Sequence, residues 1–151
     1  MEIEVRELDE QPVASIVVTT TKDGIGAELG IVLPEVGAYL RQIGAEPTGP
    51  AFARWWRYEE DGVEMEGGLP VATQIVAGGR VSPATLPGGP AAVGLHVGPY
   101  TALHGAYDEI EAWARADGRE LGEGPWEVYL TDPGEVPDSA DWRTEVVWPL
   151  A

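Results

Sequence analysis

The sequence predicts an α+β domain made of two tandem β-α-β-β units, and three observations carry that reading. Two stretches, near residues 28–44 and 99–118, have the period of a helix with one apolar face. Each follows a β-rich apolar run and precedes two more strand-like runs. The punctuation also repeats. Pro12 opens "PVASIVV" and Pro90 opens "PAAVGLHV"; "TGPAFARWW" faces "EGPWEVYL" after the helices; the halves end in "LPVA" and "WPLA". Pro12 and Pro50 stand 38 residues apart, Pro90 and Pro125 stand 35 apart, and shared order with near-equal spacing points to an internal duplication.

Taken in order, "EIEVREL" sets Ile3, Val5 and Leu8 among charges, the pattern of a half-buried strand. "PVASIVVTTT" is more apolar and β-branched, as a more buried strand would be. In "ELGIVLPEVGAYLRQIG", Leu29, Val32, Val36, Leu40 and Ile43 are spaced by 3, 4, 4 and 3, one face of a helix. Pro34 is expected in the first turn of its regular part and Gly44 at its end. "PAFARWWRYEE" and "VEMEGGLPV" read as strands joined through "EDG". "GGRVSPATLPGG" has no period, so residues 78–90 read as a connection. "PAAVGLHVG" is a strand, and Leu103, Tyr107, Ile110 and Trp113 or Ala114 mark the second helix, closed by Gly118. "PWEVYLTD" and "DWRTEVVWPL" supply the last strands. Repeat boundaries fall at about 2–77 and 78–151, within one domain spanning residues 1–151. Neither unit is large enough to bury its sheet and helix well alone. Two units around a pseudo-two-fold axis, with a ligand groove between the halves, are therefore expected.

Composition narrows the function. Nine Lys plus Arg against 26 Asp plus Glu give a net charge of −17, which repels phosphate backbones and anionic lipid. No direct nucleic-acid or membrane contact is expected. Without cysteine there is no thiol nucleophile, disulfide framework or Cys-type zinc site. His96 and His104 alone leave little for a metal, and neither has a partner at catalytic spacing. The acidic start and the lack of a long apolar run lead us to expect a soluble cytoplasmic protein without metal or cofactor.

One stretch carries chemistry. In "GPWEVYLTDP" alternation puts Glu127, Tyr129 and Thr131 on one face and Trp126, Val128 and Leu130 on the other. A strand glutamate ordinarily points to solvent. The functional alternative is a carboxylate desolvated against aromatic rings, costly until a cation arrives to gain Coulomb attraction and cation–π contact. If Pro50 corresponds to Pro125, Phe52 stands where Glu127 does, and Phe52, Arg54, Trp56 and Tyr58 share a face. A one-residue slip would exchange Trp55 for Trp56.

The second half, with "HVGPY" at His96, Gly98 and Tyr100 and "EVYLTDP" at Glu127, Tyr129, Asp132 and Pro133, resembles the GyrI-like small-molecule-binding domain, the effector-binding domain of AraC-type and MerR-type multidrug regulators. The resemblance is strong over residues 90–151 and rests on the duplicated pattern before that. It implies a duplicated β-α-β-β fold with a groove in which the position of Glu127 pairs with cationic aromatic drugs. With a strand beginning at residue 2, a stand-alone member without a helix-turn-helix domain is expected.

The leading expectation is a binding module for lipophilic, cationic aromatic compounds. Glu127 neutralises charge, Tyr129 hydrogen-bonds or stacks, and Trp56, Tyr58, Phe52 and Tyr100 form the wall. A second reading, implied by stand-alone relatives, is a cofactor-independent hydrolase of strained cyclopropane-bearing genotoxic natural products, with Glu127 activating water and Tyr129 steadying the leaving system. A third is an acidic protein-interaction module, such as a gyrase modulator, that contacts a basic partner.

Overall fold

The computed structural model describes residues 1–151. In chain order its elements are β1 (Ile3–Leu8), β2 (Gln11–Thr20), α1 (Ile25–Gln42), β3 (Phe52–Glu59), β4 (Gly62–Pro70), β5 (Ser82–Leu86), β6 (Gly89–Val97), α2 (Leu103–Ala116), β7 (Trp126–Tyr129) and β8 (Arg143–Pro149). The fold class is α+β, and all strand pairs described are antiparallel. No helix is long and apolar enough to cross a membrane. The chain divides into two compact units, Asp9–Gly88 and Met1–Leu8 with Gly89–Ala151.

In the unit of residues 9–88, β4 lies between β3 and β2, and β5 forms the outer edge against β2. Helix α1 buries Val32, Val36 and Leu40 against Ala14 and Ile16 of β2, with Val71 and Val81 closing the cluster. Those three helix positions are the centre of the predicted apolar face. Of the two outer positions, Leu29 is half-buried and Ile43 is exposed as the cap residue. Pro34 is not in the first turn: α1 begins nine residues earlier. Its missing N–H frees the carbonyl of Gly30, and Gly30 is solvent-exposed, so water can take that bond. β5 corrects the reading of residues 78–90 as a plain connection. Pro83 hid it, yet an edge strand tolerates proline because one side of its ladder is unused.

The unit of residues 1–8 and 89–151 runs β7, β8, β6, β1 across its sheet. Its first strand is β1, read from sequence with the other half; it pairs with β6 over Ile3–Leu8. Helix α2 buries Leu103, Ala106 and Ile110 against Ala92 of β6 and Val146 of β8, and Tyr107 and Trp113 flank the cluster. Both helices close alike. Gly44 and Gly118 hold φ of 73° and 68°, and the next amide reaches back five residues, Ala45 to Leu40 O and Arg119 to Ala114 O.

One close approach in β4 gives a direct test. A Cβ on Gly68 would sit 2.2 Å from the Ala14 carbonyl oxygen and 2.9 Å from Ser15 Cβ, both held in the β2–β4 ladder. Neither can retreat without breaking pairing. Gly68→Ala should therefore cost about 1–3 kcal/mol, seen as a lower urea midpoint at unchanged slope.

Candidate functional site

Glu127 is buried at 4% exposure. Its ladder partner on β8 is Val146, which belongs to the cluster under α2, so the carboxylate lies on the helix side of its sheet. Two phenols donate to it. Tyr107 Oη, from α2, lies 2.8 Å from Oε1, and Tyr129 Oη, two residues along β7, lies 2.9 Å from Oε2. Phenols carry no positive charge, so they solvate the carboxylate and leave it an acceptor.

Aromatic rings continue outward from this centre. Tyr100 meets Tyr129 edge-on at 5.5 Å and lies against Trp142 at 4.7 Å and 34°. Tyr107 meets Trp148 edge-on at 5.8 Å. Such pairs sit in the favourable range for offset and edge contacts. Tyr100, Tyr107, Tyr129, Trp142 and Trp148 are all half-buried.

The sequence motifs explain how these rings are held. His96 Nε2 lies 3.1 Å from the Pro99 carbonyl oxygen, and the Gly98 N–H donates to the Trp142 carbonyl at 2.8 Å. Those contacts fix the single turn Tyr100–Ala102 that presents the Tyr100 ring. Asp132 folds the segment after β7, its Oδ1 accepting from Gly134 N and its carbonyl from Glu135 N and Val136 N. Val136 O in turn accepts from Trp142 Nε1 at 2.6 Å. Aspartate and histidine of the motifs thus position aromatic residues.

Both phenols of the strand and turn have raised pKa values. Burial is the main cause for Tyr129, followed by the Glu127 charge and its hydrogen bond. For Tyr100 burial again leads, then Glu127 and Asp132. A raised folded-state pKa contributes stability that is present below the ordinary tyrosine value near 10 and lost as pH rises through the folded value. In an alkaline titration followed by tyrosinate absorbance, the Tyr129 transition should therefore lie well above the ordinary tyrosine value. In Glu127→Gln its transition should move down part of the way, because burial persists.

Of the residues singled out from sequence, Glu127, Tyr129 and Tyr100 come together here. Phe52, Trp56 and Tyr58 belong to the unit of residues 9–88. There Phe52 is buried at 1% exposure. Trp56 is 41% exposed, donates from Nε1 to Glu66 Oε1 at 3.1 Å, and lies under Arg54, whose Cζ is 4.1 Å from the ring centre. Buried Glu66 also accepts from Ser15 Oγ at 2.5 Å, and burial lowers the Arg54 pKa while Glu66 opposes that shift. Tyr58 does not share the face of Trp56. The β3–β4 register shifts between Trp55 and Arg57, which brings Tyr58 opposite Val63 and edge-on to Trp55 at 5.9 Å. Sequence reasoning missed Tyr107, which was read as core, and Trp142 and Trp148, which carry no local signal.

A family model described as the GyrI-like small molecule binding domain matches residues 1–151. No curated protein sequence matches the chain. Among solved structures, the crystal structure of the EcmrR C-terminal domain has a TM-score of 0.87 at 24% identity, covering 99% of this chain and 97% of that one. The EcmrR chain in its cryo-EM complex with DNA superposes with a TM-score of 0.84 at 24% identity; the match covers 99% of this chain and spans 57% of that one. A hydrolase from Listeria innocua has a TM-score of 0.70 at 17% identity, over 99% of this chain and 92% of that one. SAV2435, bound to tetraphenylphosphonium, has a TM-score of 0.70 at 14% identity, over 100% and 94%. At these identities the likeness is one of fold.

Proposed function

The chain belongs to the GyrI-like small molecule binding domain family, and from that premise we propose that it captures lipophilic aromatic cations at the Glu127 cluster. The observation that carries this is the buried carboxylate held by two phenols beside the Tyr100–Trp142 ring pair. A hydrated inorganic cation would lose more hydration than such a site returns, because phenol rings offer it no oxygen cage. A delocalised organic cation carries little hydration to lose. It gains Coulomb attraction from Glu127 and stacking from the rings together. A relative of the same fold, SAV2435, was solved with tetraphenylphosphonium, a cation of this class.

Capture and turnover separate in one experiment. A rhodamine is mixed with wild type and with Glu127→Gln, binding is followed by fluorescence polarisation, and the dye is recovered for mass analysis. We expect saturable binding by wild type, weaker binding by the variant, and dye of unchanged mass. Altered dye would move the function to hydrolysis, and equal binding by both proteins would remove Glu127 from the site.

A further inference from the structure

Thr144 lies beside this cluster. It is the ladder partner of Tyr129 across β7 and β8 and of His96 across β6 and β8, so it shares the helix-side face with Tyr129 and Glu127. It is 0% exposed, and its Oγ1 is a buried polar atom with no hydrogen-bond partner. Buried hydroxyls almost always find a partner, and leaving one unmet is costly. Valine has nearly the same shape and would fill the position without that cost.

We propose that Thr144 is a specificity-determining residue whose hydroxyl bonds to a polar group of the captured cation. This rests on the cation-capture reading and adds to it the chemistry of a second ligand group. Thr144 and Val146, the partner of Glu127, are two residues apart on β8, which is roughly 7 Å along the strand. The preferred ligand is therefore an aromatic cation that also bears a hydroxyl, amine, ether or carbonyl. A cation of bare hydrocarbon rings gains the charge and the stacking but leaves the hydroxyl unmet.

Two probes distinguish these cases. Rhodamine 6G carries amine and ester groups; tetraphenylphosphonium carries no hydrogen-bonding group. Their dissociation constants are measured for wild type, Thr144→Val, Thr144→Ser and Glu127→Gln, with thermal unfolding as the check on folding. We expect Thr144→Val to weaken rhodamine 6G about five- to tenfold and to leave tetraphenylphosphonium nearly unchanged, with Thr144→Ser restoring most of the loss. Thr144→Val should unfold no lower than wild type, since it removes an unmet hydroxyl. The inference is overturned if valine shifts both probes alike or neither. It is also overturned if wild type binds tetraphenylphosphonium through Glu127 but not rhodamine 6G. Loss of the Glu127 dependence for both cations would instead overturn the capture reading itself.

Discussion

Replacing Phe52 by alanine should destabilise the protein by about 3–5 kcal/mol, the largest single-residue effect on stability expected here. Phe52 is among the largest fully buried side chains. Its partner across the ladder is Gly68, which brings no side chain to share that face. The backbone around Gly68 is already in close contact with β2 and cannot move in to fill the void. Most of the cavity would persist, and its cost is added to the lost transfer energy. A urea unfolding curve, with the midpoint lowered and the slope kept, is the measurement. A drop below about 1 kcal/mol would mean that Phe52 packs as a surface ring.

The second large effect belongs to binding. Glu127→Gln should weaken a lipophilic cation by about tenfold to a hundredfold, the value of a hydrogen-bonded charge contact in a desolvated site. Glutamine keeps the size of the side chain but replaces one oxygen that accepts a phenol by an amide that donates. One of Tyr107 and Tyr129 must then turn its hydroxyl, so a modest fall in thermal stability should accompany the loss of affinity. A neutral dye such as Nile red separates the two consequences. Loss confined to cations marks the charge, and loss for both dyes marks disturbed ring positions.

Much of the fold was legible because its signals are local. Val32, Val36 and Leu40 on α1, and Leu103, Ile110 and Ala114 on α2, follow helical spacing and lie in the core. The strand at Trp126–Tyr129 was marked by alternation after Gly124-Pro125. What escaped was non-local or concealed. β5 contains Pro83, which reads as a break until the strand is known to be an edge. The partner of β1 is β6, more than 80 residues away, and nothing in "EIEVREL" specifies that distance. The bulge after Trp55 turned Tyr58 to the other face, since strict alternation cannot register an extra residue.

The candidate site divides in the same way. Glu127 and Tyr129 stood out because a carboxylate in an apolar strand invites a reason. Tyr107 satisfied a helical period, and that pattern concealed its second role as donor to Glu127. Thr144 and Trp142 sit in the last strand and just before it, where a small polar residue and a tryptophan look ordinary. Their places beside Tyr129 and Tyr100 come from strand register and a ring contact, neither of which sequence spacing contains.

Whether Glu127 supplies charge to a bound cation is read by calorimetric titration of tetraphenylphosphonium into wild type and Glu127→Gln under identical buffer and salt. We expect saturable binding by wild type and an affinity about tenfold to a hundredfold lower for the variant. Equal affinity for the two proteins, with both folded, would contradict it.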